Sequence, residues 1–355
     1  MLSLILTALT ARIARRIDFV SRPASDRFSR RTVPLGGGIA IFVTLSVIAV
    51  AAAIAVKLLS SAAPFARLAD NANVKPADFL AKIYQLAIIM LGAACLFILG
   101  LWDDKKHLGP GLKLAVQLAA AIVVTAFSQT RVEFFIPNQV FTSIVSAVWM
   151  VGIINAFNFL DNMDGLSAGI AAIASAILFV AAVISGQVFV AGLAIVFVGT
   201  LLGFLTLNFP PARIFMGDAG SLVVGFFVAV LTLRTTYYHE ALSGRWYPVL
   251  LPLIVMAVPL YDFISVTLLR LSQGKSPFVG DTQHFSHRLK KRGLTDTQTV
   301  LTLYLATLAT GLGATFLYQV NSIGAILIFT QTFMVLAIVA ILEGTGKNDK
   351  NGNPS

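Results

Sequence analysis

Five aspartates are unusual in this sequence because each lies at the end of an apolar run rather than inside a polar loop. They occur in the segments LGLWDDKKHLGPGLK, NAFNFLDNMDGLSAG and NFPPARIFMGDAGS, as Asp103, Asp104, Asp161, Asp164 and Asp218. A solvated helix end explains any one of them, but three such segments meeting at one surface predict a site. Several carboxylates suit Mg²⁺, which binds one or two carboxylates together with substrate phosphates. No Cys and His cluster in the sequence indicates zinc.

A ladder of polar side chains precedes one of these helix ends. Asn155, Asn158, Asp161 and Asp164 are spaced by threes, so each neighbouring pair shares a helix face. The end pair converges only if the helix unwinds near 162–165, where Asn, Asp and Gly favour a break. The ladder could hydrogen-bond a nucleobase or a sugar, and helix capping explains only part of it.

Two glycine-rich segments open apolar runs. The segment 217–221 (GDAGS) offers N–H groups at a helix N-terminus, where an anion such as phosphate is stabilised. The segment 36–38 (GGG) follows Arg27, Arg30 and Arg31, which indicates either an anionic lipid headgroup or ordinary positive-inside charge. Asp262 lies within an apolar run after Pro259, and we expect it to orient a His or Lys side chain.

The composition shows which elements must position these residues. The 355 residues are 57% apolar and only 12% charged, which excludes a soluble enzyme. Because open strands cannot span lipid, we predict an all-α polytopic bundle of ten membrane helices plus a short, retained N-terminal one. The predicted spans lie near 35–56, 81–102, 112–127, 140–156, 166–184, 188–207, 222–233, 247–271, 300–317 and 323–342.

The sidedness follows from the positive charges. If each run crosses once, 19 of the 26 Lys and Arg residues fall on one side. That side, which carries all of the aspartate segments, is predicted to be cytoplasmic, with the protein in the plasma (inner) membrane. Membrane topology explains the net charge of +10 better than nucleic-acid binding does. Residues 1–343 are predicted to form one transmembrane catalytic domain and 344–355 a disordered cytoplasmic tail, while Cys95 packs as a small hydrophobe.

Five segments in order resemble the polyprenyl-phosphate N-acetylhexosamine-1-phosphate transferase family. They are VPLGGGIAIF (33–42), GLWDD (100–104) with Lys113 and Gln117 downstream, NAFNFLDNMDGLSAG (155–169), NFPPARIFMGDAGS (208–221) and HFSHRL (284–289). The resemblance implies transfer of a sugar 1-phosphate from a UDP-N-acetylhexosamine, most closely GlcNAc, to polyprenyl (undecaprenyl) phosphate, with release of UMP. It implies Mg²⁺, with Mn²⁺ as a substitute, and the first membrane step of cell-wall or lipopolysaccharide-type glycan synthesis.

The resemblance also implies roles for individual residues. Asp218 and Asp104 would hold the metal, and Asp103 is the candidate base. The catalytic set is Asp103, Asp104, Asp218, His284 and His287, and the substrate-binding set is Lys113, Asn155, Asn158, Asp161, Asp164, Phe215 and Arg288. We expect direct attack by the polyprenyl phosphate oxygen on the sugar-bearing phosphorus, with a covalent aspartyl intermediate as the alternative.

The sequence departs from the family at two places. Ser286 stands where the glycan-initiating branch commonly has a His, and Phe28, Ser29 and Arg30 stand where a Lys and a His are common. Because Ser286 has no charge, we expect its replacement by Ala to matter little and His to be tolerated there.

Two other functions remain open at this point. One is transfer of phospho-MurNAc-pentapeptide in peptidoglycan synthesis. The other is a polytopic transporter, whose carboxylates would line the midplane of the membrane. The identity of the hexosamine, the polyprenol length and the existence of a homodimer also remain open.

Overall fold

The computed structural model describes residues 1–22, 32–60, 76–132, 138–235, 246–275, 284–290 and 292–344. Most of them are helical, and two short strands pair near the N-terminus. In chain order the elements are α1 Leu2–Arg16, β1 Val20–Ser21, β2 Val33–Pro34, α2 Gly37–Ser60, α3 Pro76–Lys105, α4 Pro110–Phe127, α5 Gln139–Leu160, α6 Leu166–Ile184, α7 Val188–Asn208, α8 Asp218–Arg234, a 3₁₀ turn Tyr247–Leu250, α9 Leu251–Val255, α10 Ala257–Ser272, α11 Phe285–Lys290, α12 Asp296–Thr315 and α13 Ser322–Gly344. Strands β1 and β2 pair antiparallel, with Val20 opposite Pro34.

Every predicted apolar run lies in helical structure, which confirms a polytopic all-α membrane protein. In the described part of the chain, seven helices are long and apolar enough to cross a membrane. They are Gly37–Leu58, Ala81–Lys105, Pro110–Phe127, Gln139–Leu160, Leu166–Ile184, Val188–Asn208 and Ser322–Glu343. The bent pair Tyr247–Val255 and Ala257–Ser272 raises that count to eight if it forms one span. The full count of ten crossings plus a short N-terminal one stays a prediction.

Helix α8 forms the centre of the bundle. Every residue from Ala219 to Leu233 is buried, and α2, α3, α5, α6 and α7 all pack against it. A helix that is apolar on every side can be enclosed in this way without leaving a polar face unsatisfied. Its N-terminus, at Asp218, is therefore surrounded by the ends of neighbouring helices.

Two glycines allow the close approach of helices to the start of α8. A Cβ atom at Gly38 of α2 would lie 2.3 Å from the backbone nitrogen of Gly220. A Cβ atom at Gly100 of α3 would lie 2.3 Å from the Cα of Ala219. Both distances are far below van der Waals contact, so any side chain at either position would push the helix away from α8. Gly100 thereby fixes how near Asp104, one turn later, comes to the α8 N-terminus.

The run predicted as one span over 247–271 is bent. A 3₁₀ turn and α9 precede Met256, and α10 leaves at an angle of 67°. Pro259 lies in the first turn of α10 and has no N–H group, so no hydrogen bond can continue from it to Val255 across the break. The bend places Asp262 on α10, fully buried.

Three sets of predictions lie outside the described residues. These are the arginines Arg27, Arg30 and Arg31 with the departures at 28–30, most of the loop between α10 and α11, and the tail after Gly344.

Candidate active site

Lys113 connects two of the predicted aspartates. Its Nζ forms an ion pair with Oδ2 of Asp103 and lies 3.3 Å from Oδ2 of Asp218. Asp103 is 1% exposed, and its Oδ1 accepts a hydrogen bond of 2.6 Å from the N–H of Leu108. Asp218 is more open, because 34% of its side chain is exposed. The ends of α3, α4 and α8 thus contribute to one cluster of alternating charge.

Asp104 caps helix α8. Its Oδ1 accepts from the N–H of Asp218 at 2.8 Å, and its Oδ2 accepts from the N–H of Ala219 at 3.2 Å. The next two N–H groups, of Gly220 and Ser221, bond to the carbonyl of Gly217. The carboxylate of Asp104 therefore occupies the anion position at this helix start, and the expected binding of a substrate phosphate there stays a prediction.

The asparagine ladder touches the same cluster at one residue. Asn158 Nδ2 donates to Oδ1 of Asp218 at 2.9 Å and to Oγ of Ser221 at 2.8 Å. Asn155, one turn earlier, donates to Oε1 of Gln117 at 2.7 Å. Asn158 therefore orients the Asp218 carboxylate, whereas Asn155 connects α5 to α4.

Helix α5 ends where the ladder was predicted to unwind. Asp161 is its C-cap residue, and Gly165 adopts a φ of +72° just before α6. Asp164 Oδ2 accepts from the N–H of Ala212 at 2.9 Å, and burial raises the pKa of Asp164. Asn155 and Asp164 bind different partners, so the break turns Asp164 toward the 209–217 loop and not toward Asn155.

Phe215 is fixed by its backbone. Its N–H donates to the carbonyl of Pro34, and its carbonyl accepts from the N–H of Gly37, both at 2.9 Å. Gly38 donates likewise to Met216. The start of α2 therefore binds the segment that leads into Asp218, so those N–H groups serve the protein and not an anionic headgroup.

The short helix α11 carries the predicted histidine segment. His284 Nδ1 lies 2.9 Å from Oδ2 of Asp262, and the N–H of Phe285 donates to Oδ1 of the same carboxylate at 3.0 Å. This pairing agrees with the orienting role expected of Asp262. Arg288 forms an ion pair of 3.0 Å with Glu343 and contacts Ser265 Oγ at 3.2 Å. The side chain of His287 lies outside the described residues.

Ser286 connects α11 to the turn that follows α5. It is fully buried, and its Oγ donates to Oδ1 of Asn162 at 2.7 Å. A histidine is much larger than a serine, and such a position has no space for it. The expected tolerance of His at this position is therefore not supported by the packing.

Three of these contacts were not foreseen from the sequence. Glu343, at the end of α13, binds Arg288 across 55 positions of the chain, Asn162 binds Ser286, and Gln117 binds Asn155. A polar residue inside an apolar run was the available signal for Gln117. For Asn162 and Glu343 the sequence offered none, because both lie at helix ends where polar residues are common.

Two carboxylates near Lys113, those of Asp103 and Asp218, could contribute oxygen ligands to a Mg²⁺ ion. Asp218 and Asp103 already share one cation, the Lys113 ammonium. No group of three or more His, Cys, Asp or Glu side chains gathers for a metal among the residues that the structure describes. A Mg²⁺ ion here would need ligands from substrate phosphates, as Mg²⁺ usually does.

The chain is similar to known proteins over most of its length. The sequence profile described as "Glycosyl transferase family 4" matches residues 86–236. A probable undecaprenyl-phosphate N-acetylglucosaminyl 1-phosphate transferase of Bacillus subtilis is 30% identical over 85% of this chain and 78% of that protein. A decaprenyl-phosphate N-acetylglucosaminephosphotransferase of Mycobacterium leprae is 29% identical over 91% and 83% of the two chains. An undecaprenyl-phosphate alpha-N-acetylglucosaminyl 1-phosphate transferase of Escherichia coli K12 is 25% identical over 83% and 75%.

Proposed function

The chain belongs to glycosyl transferase family 4, and we propose that it transfers GlcNAc 1-phosphate from UDP-GlcNAc to a polyprenyl phosphate, releasing UMP. The product is a polyprenyl-diphospho-sugar, the lipid intermediate that begins a surface glycan or cell-wall polymer. Three relatives from different bacteria carry names for this reaction with an N-acetylglucosamine group. The observation that carries the proposal is the cluster of Asp103, Lys113 and Asp218 at one end of the bundle.

The location of the cluster supports this activity. Phosphoryl transfer depends mainly on positioning and on charge neutralisation, so a protein needs fixed charges close to the membrane surface where a polyprenyl phosphate lies. The cluster lies at the ends of α3, α4, α5 and α8, not at their middles. A transporter would need its carboxylates at the midplane. We place this end of the bundle on the cytoplasmic side of the plasma membrane, where UDP-sugars are made.

The contacts of each residue indicate its role in the reaction. The Lys113 side chain can turn so that its ammonium leaves the two carboxylates and pairs with the substrate pyrophosphate. Asn158 keeps the Asp218 carboxylate in place during this movement. Asp104 fixes the start of α8 on which Asp218 stands. The acceptor phosphate monoester has a second pKa near 6, so it is largely dianionic and needs little help from Asp103 as a base.

A Mg²⁺ ion completes the proposal. Asp218 would hold it because its carboxylate is partly exposed, whereas Asp103 is buried. The second ligand would be Oδ2 of Asp103, which becomes available when Lys113 turns to the substrate, whereas both oxygens of Asp104 accept backbone N–H groups. When bound, the ion neutralises the pyrophosphate and stabilises the leaving group.

The substrate class is tested by measuring UMP release from purified protein in detergent with a short polyprenyl phosphate. UDP-GlcNAc, UDP-GalNAc and UDP-MurNAc-pentapeptide are compared with and without Mg²⁺. We expect release from UDP-GlcNAc that EDTA abolishes. Release only from UDP-MurNAc-pentapeptide would assign the chain to peptidoglycan synthesis, and no release from any donor would overturn the proposal.

A further inference from the structure

The proposed mechanism does not use the carboxylate of Asp262, which is buried among apolar helices. It is 0% exposed on α10, within the apolar run after the 67° bend. A buried carboxylate lowers stability unless hydrogen bonds or an opposite charge compensate for its lost hydration. Both of its oxygens are used by the segment that begins 22 residues later, at His284.

The two contacts of Asp262 involve different kinds of donor: one is a backbone N–H group, and the other is a ring nitrogen whose proton depends on the tautomer. Oδ1 accepts from the backbone N–H of Phe285, which can only donate, at the start of α11. Oδ2 faces Nδ1 of His284, and a carboxylate can only accept, so Nδ1 must carry a proton. The contact therefore fixes both where the imidazole ring lies and which of its nitrogens carries the proton.

The ring of His284 is held on a second side by aromatic packing. Phe159, at the end of α5, meets it edge-on, with the ring centroids 5.6 Å apart and the planes at 85°. The guanidinium of Arg270, on α10, lies over the ring of the same Phe159, 5.0 Å from its centroid. Phe159 stands next to Asn158, which binds Asp218. The histidine is thus packed against the helix end that carries the reaction site.

We propose that Asp262 is a positioning residue, which holds His284 with a proton on Nδ1 and so makes Nε2 the nitrogen that acts on the sugar donor. This proposal rests on the proposed function, because the donor is the UDP-sugar of that reaction. This arrangement follows a general rule: a carboxylate that is hydrogen-bonded to a functional histidine fixes the tautomer and the orientation of the imidazole ring. Asp262 itself touches no substrate.

The variant Asp262→Asn separates positioning from simple anchoring. The amide oxygen must face the N–H of Phe285, so the amide NH₂ group must face Nδ1 of His284. Nδ1 must then accept, and the ring proton moves to Nε2. The anchor of α11 is retained while the tautomer is reversed, so a purely structural role predicts little change in this variant.

The first measurement is kcat/KM for UMP release in a double-mutant cycle of Asp262→Asn and His284→Ala. We expect Asp262→Asn to lower kcat/KM about 10- to 100-fold. The double variant should fall within about twofold of His284→Ala alone, because Asp262 acts through that ring. Thr267→Val is the matched control: it lies on the same helix, its buried Oγ1 has no hydrogen-bond partner among the described residues, and it should keep wild-type activity. Full activity of Asp262→Asn would overturn the proposal. A double variant whose loss of kcat/KM equals the product of the two single losses would overturn it as well.

The second measurement reads the tautomer without any substrate. The chain has four histidines, so ¹⁵N-histidine spectra of the protein in lipid nanodiscs are simple, and His284→Gln identifies the signal. We expect a proton on Nδ1 of His284 in the wild type and on Nε2 alone in Asp262→Asn. The same tautomer in both proteins would refute the inference. If instead no UDP-sugar releases UMP while the tautomer reverses, the proposed function fails and the pairing stands.

Discussion

At the scale of single residues, the central feature is one lysine shared by two carboxylates. Lys113 neutralises Asp103, which is buried, and approaches Asp218, which is not. Without the ammonium, the two acids would face each other with no compensating charge, and the substrate pyrophosphate would meet a negative surface. We therefore expect Lys113 to serve both the resting site and donor binding.

We expect Lys113→Ala to lower kcat/KM for UMP release by about a hundredfold or more, because one charged contact to a developing anion is lost. Lys106→Ala is the control, since Lys106 is exposed in the loop that follows α3. It should keep near-normal kinetics. Equal losses in the two variants would show that general surface charge matters and the shared contact does not.

Asp218→Asn should abolish turnover while leaving the fold intact. The amide can keep an acceptor for Asn158, but it removes the charge that faces Lys113 and would face Mg²⁺. Activity and the melting temperature in detergent are measured together. More than half of wild-type activity at saturating Mg²⁺ would refute the role of Asp218.

Ser286 gives a further residue-scale prediction. Ser286→Ala loses one hydrogen bond to Asn162, which costs about 1 kcal/mol, so activity should remain within about tenfold of wild type. Ser286→His places a large ring at a fully buried position and should lower both activity and melting temperature more than Ser286→Ala does. A fully active Ser286→His protein would show that α11 can move away from α5.

At the scale of elements, the site depends on how closely α3 approaches α8. Gly100 allows backbone contact with Ala219, and this contact brings Asp104 to the N–H groups at the helix start. The predicted apolar runs were sufficient to locate the helices. They could not show that the α8 N-terminus is capped from within the protein, because the capping residue lies 114 positions earlier in the chain.

Gly100→Ala should therefore impair the protein far more than an ordinary helix substitution. Its Cβ would lie 2.3 Å from the Cα of Ala219, so α3 or α8 must shift, at a cost of roughly 2 kcal/mol or more. Gly199→Ala is the matched control on α7, where an added Cβ meets nothing within 4 Å. The melting temperatures and UMP release of both variants are compared. A Gly100→Ala protein as stable and active as Gly199→Ala would mean that the two helices are farther apart than described.

The sequence predicted the participants of the site better than their pairings. Asp103 and Asp104 are adjacent, and adjacent residues on a helix point about 100° apart, so one motif could not tell which carboxylate meets Lys113. The structure places Asp103 beside Lys113 and Asp104 on the α8 backbone. The Ser286 contact with Asn162 spans 124 positions, and no local pattern encodes such a pairing.

At the scale of the whole molecule, the bundle brings its functional side chains to one end. The ends of α3 and α5 and the starts of α4, α8 and α11 supply most of them. The positive charges of the sequence predict that this end faces the cytoplasm. Single cysteines at position 106 and, separately, at position 188, in a Cys95→Ala background, should react with a membrane-impermeant thiol reagent from opposite sides. Labelling from the same side would contradict the predicted topology.

The most direct test of the account follows the β-phosphorus of the donor. UDP-GlcNAc labelled with ³²P at the β-phosphate is mixed with the purified protein, Mg²⁺ and a short polyprenyl phosphate, and the lipid and water phases are separated. If the chain transfers a sugar 1-phosphate, the bond between the two phosphates breaks, so the label enters the lipid and UMP appears in equal amount. Asp218→Asn should give neither product. Label that remains in water as UDP while the sugar enters the lipid would show transfer of the sugar alone and would contradict the account.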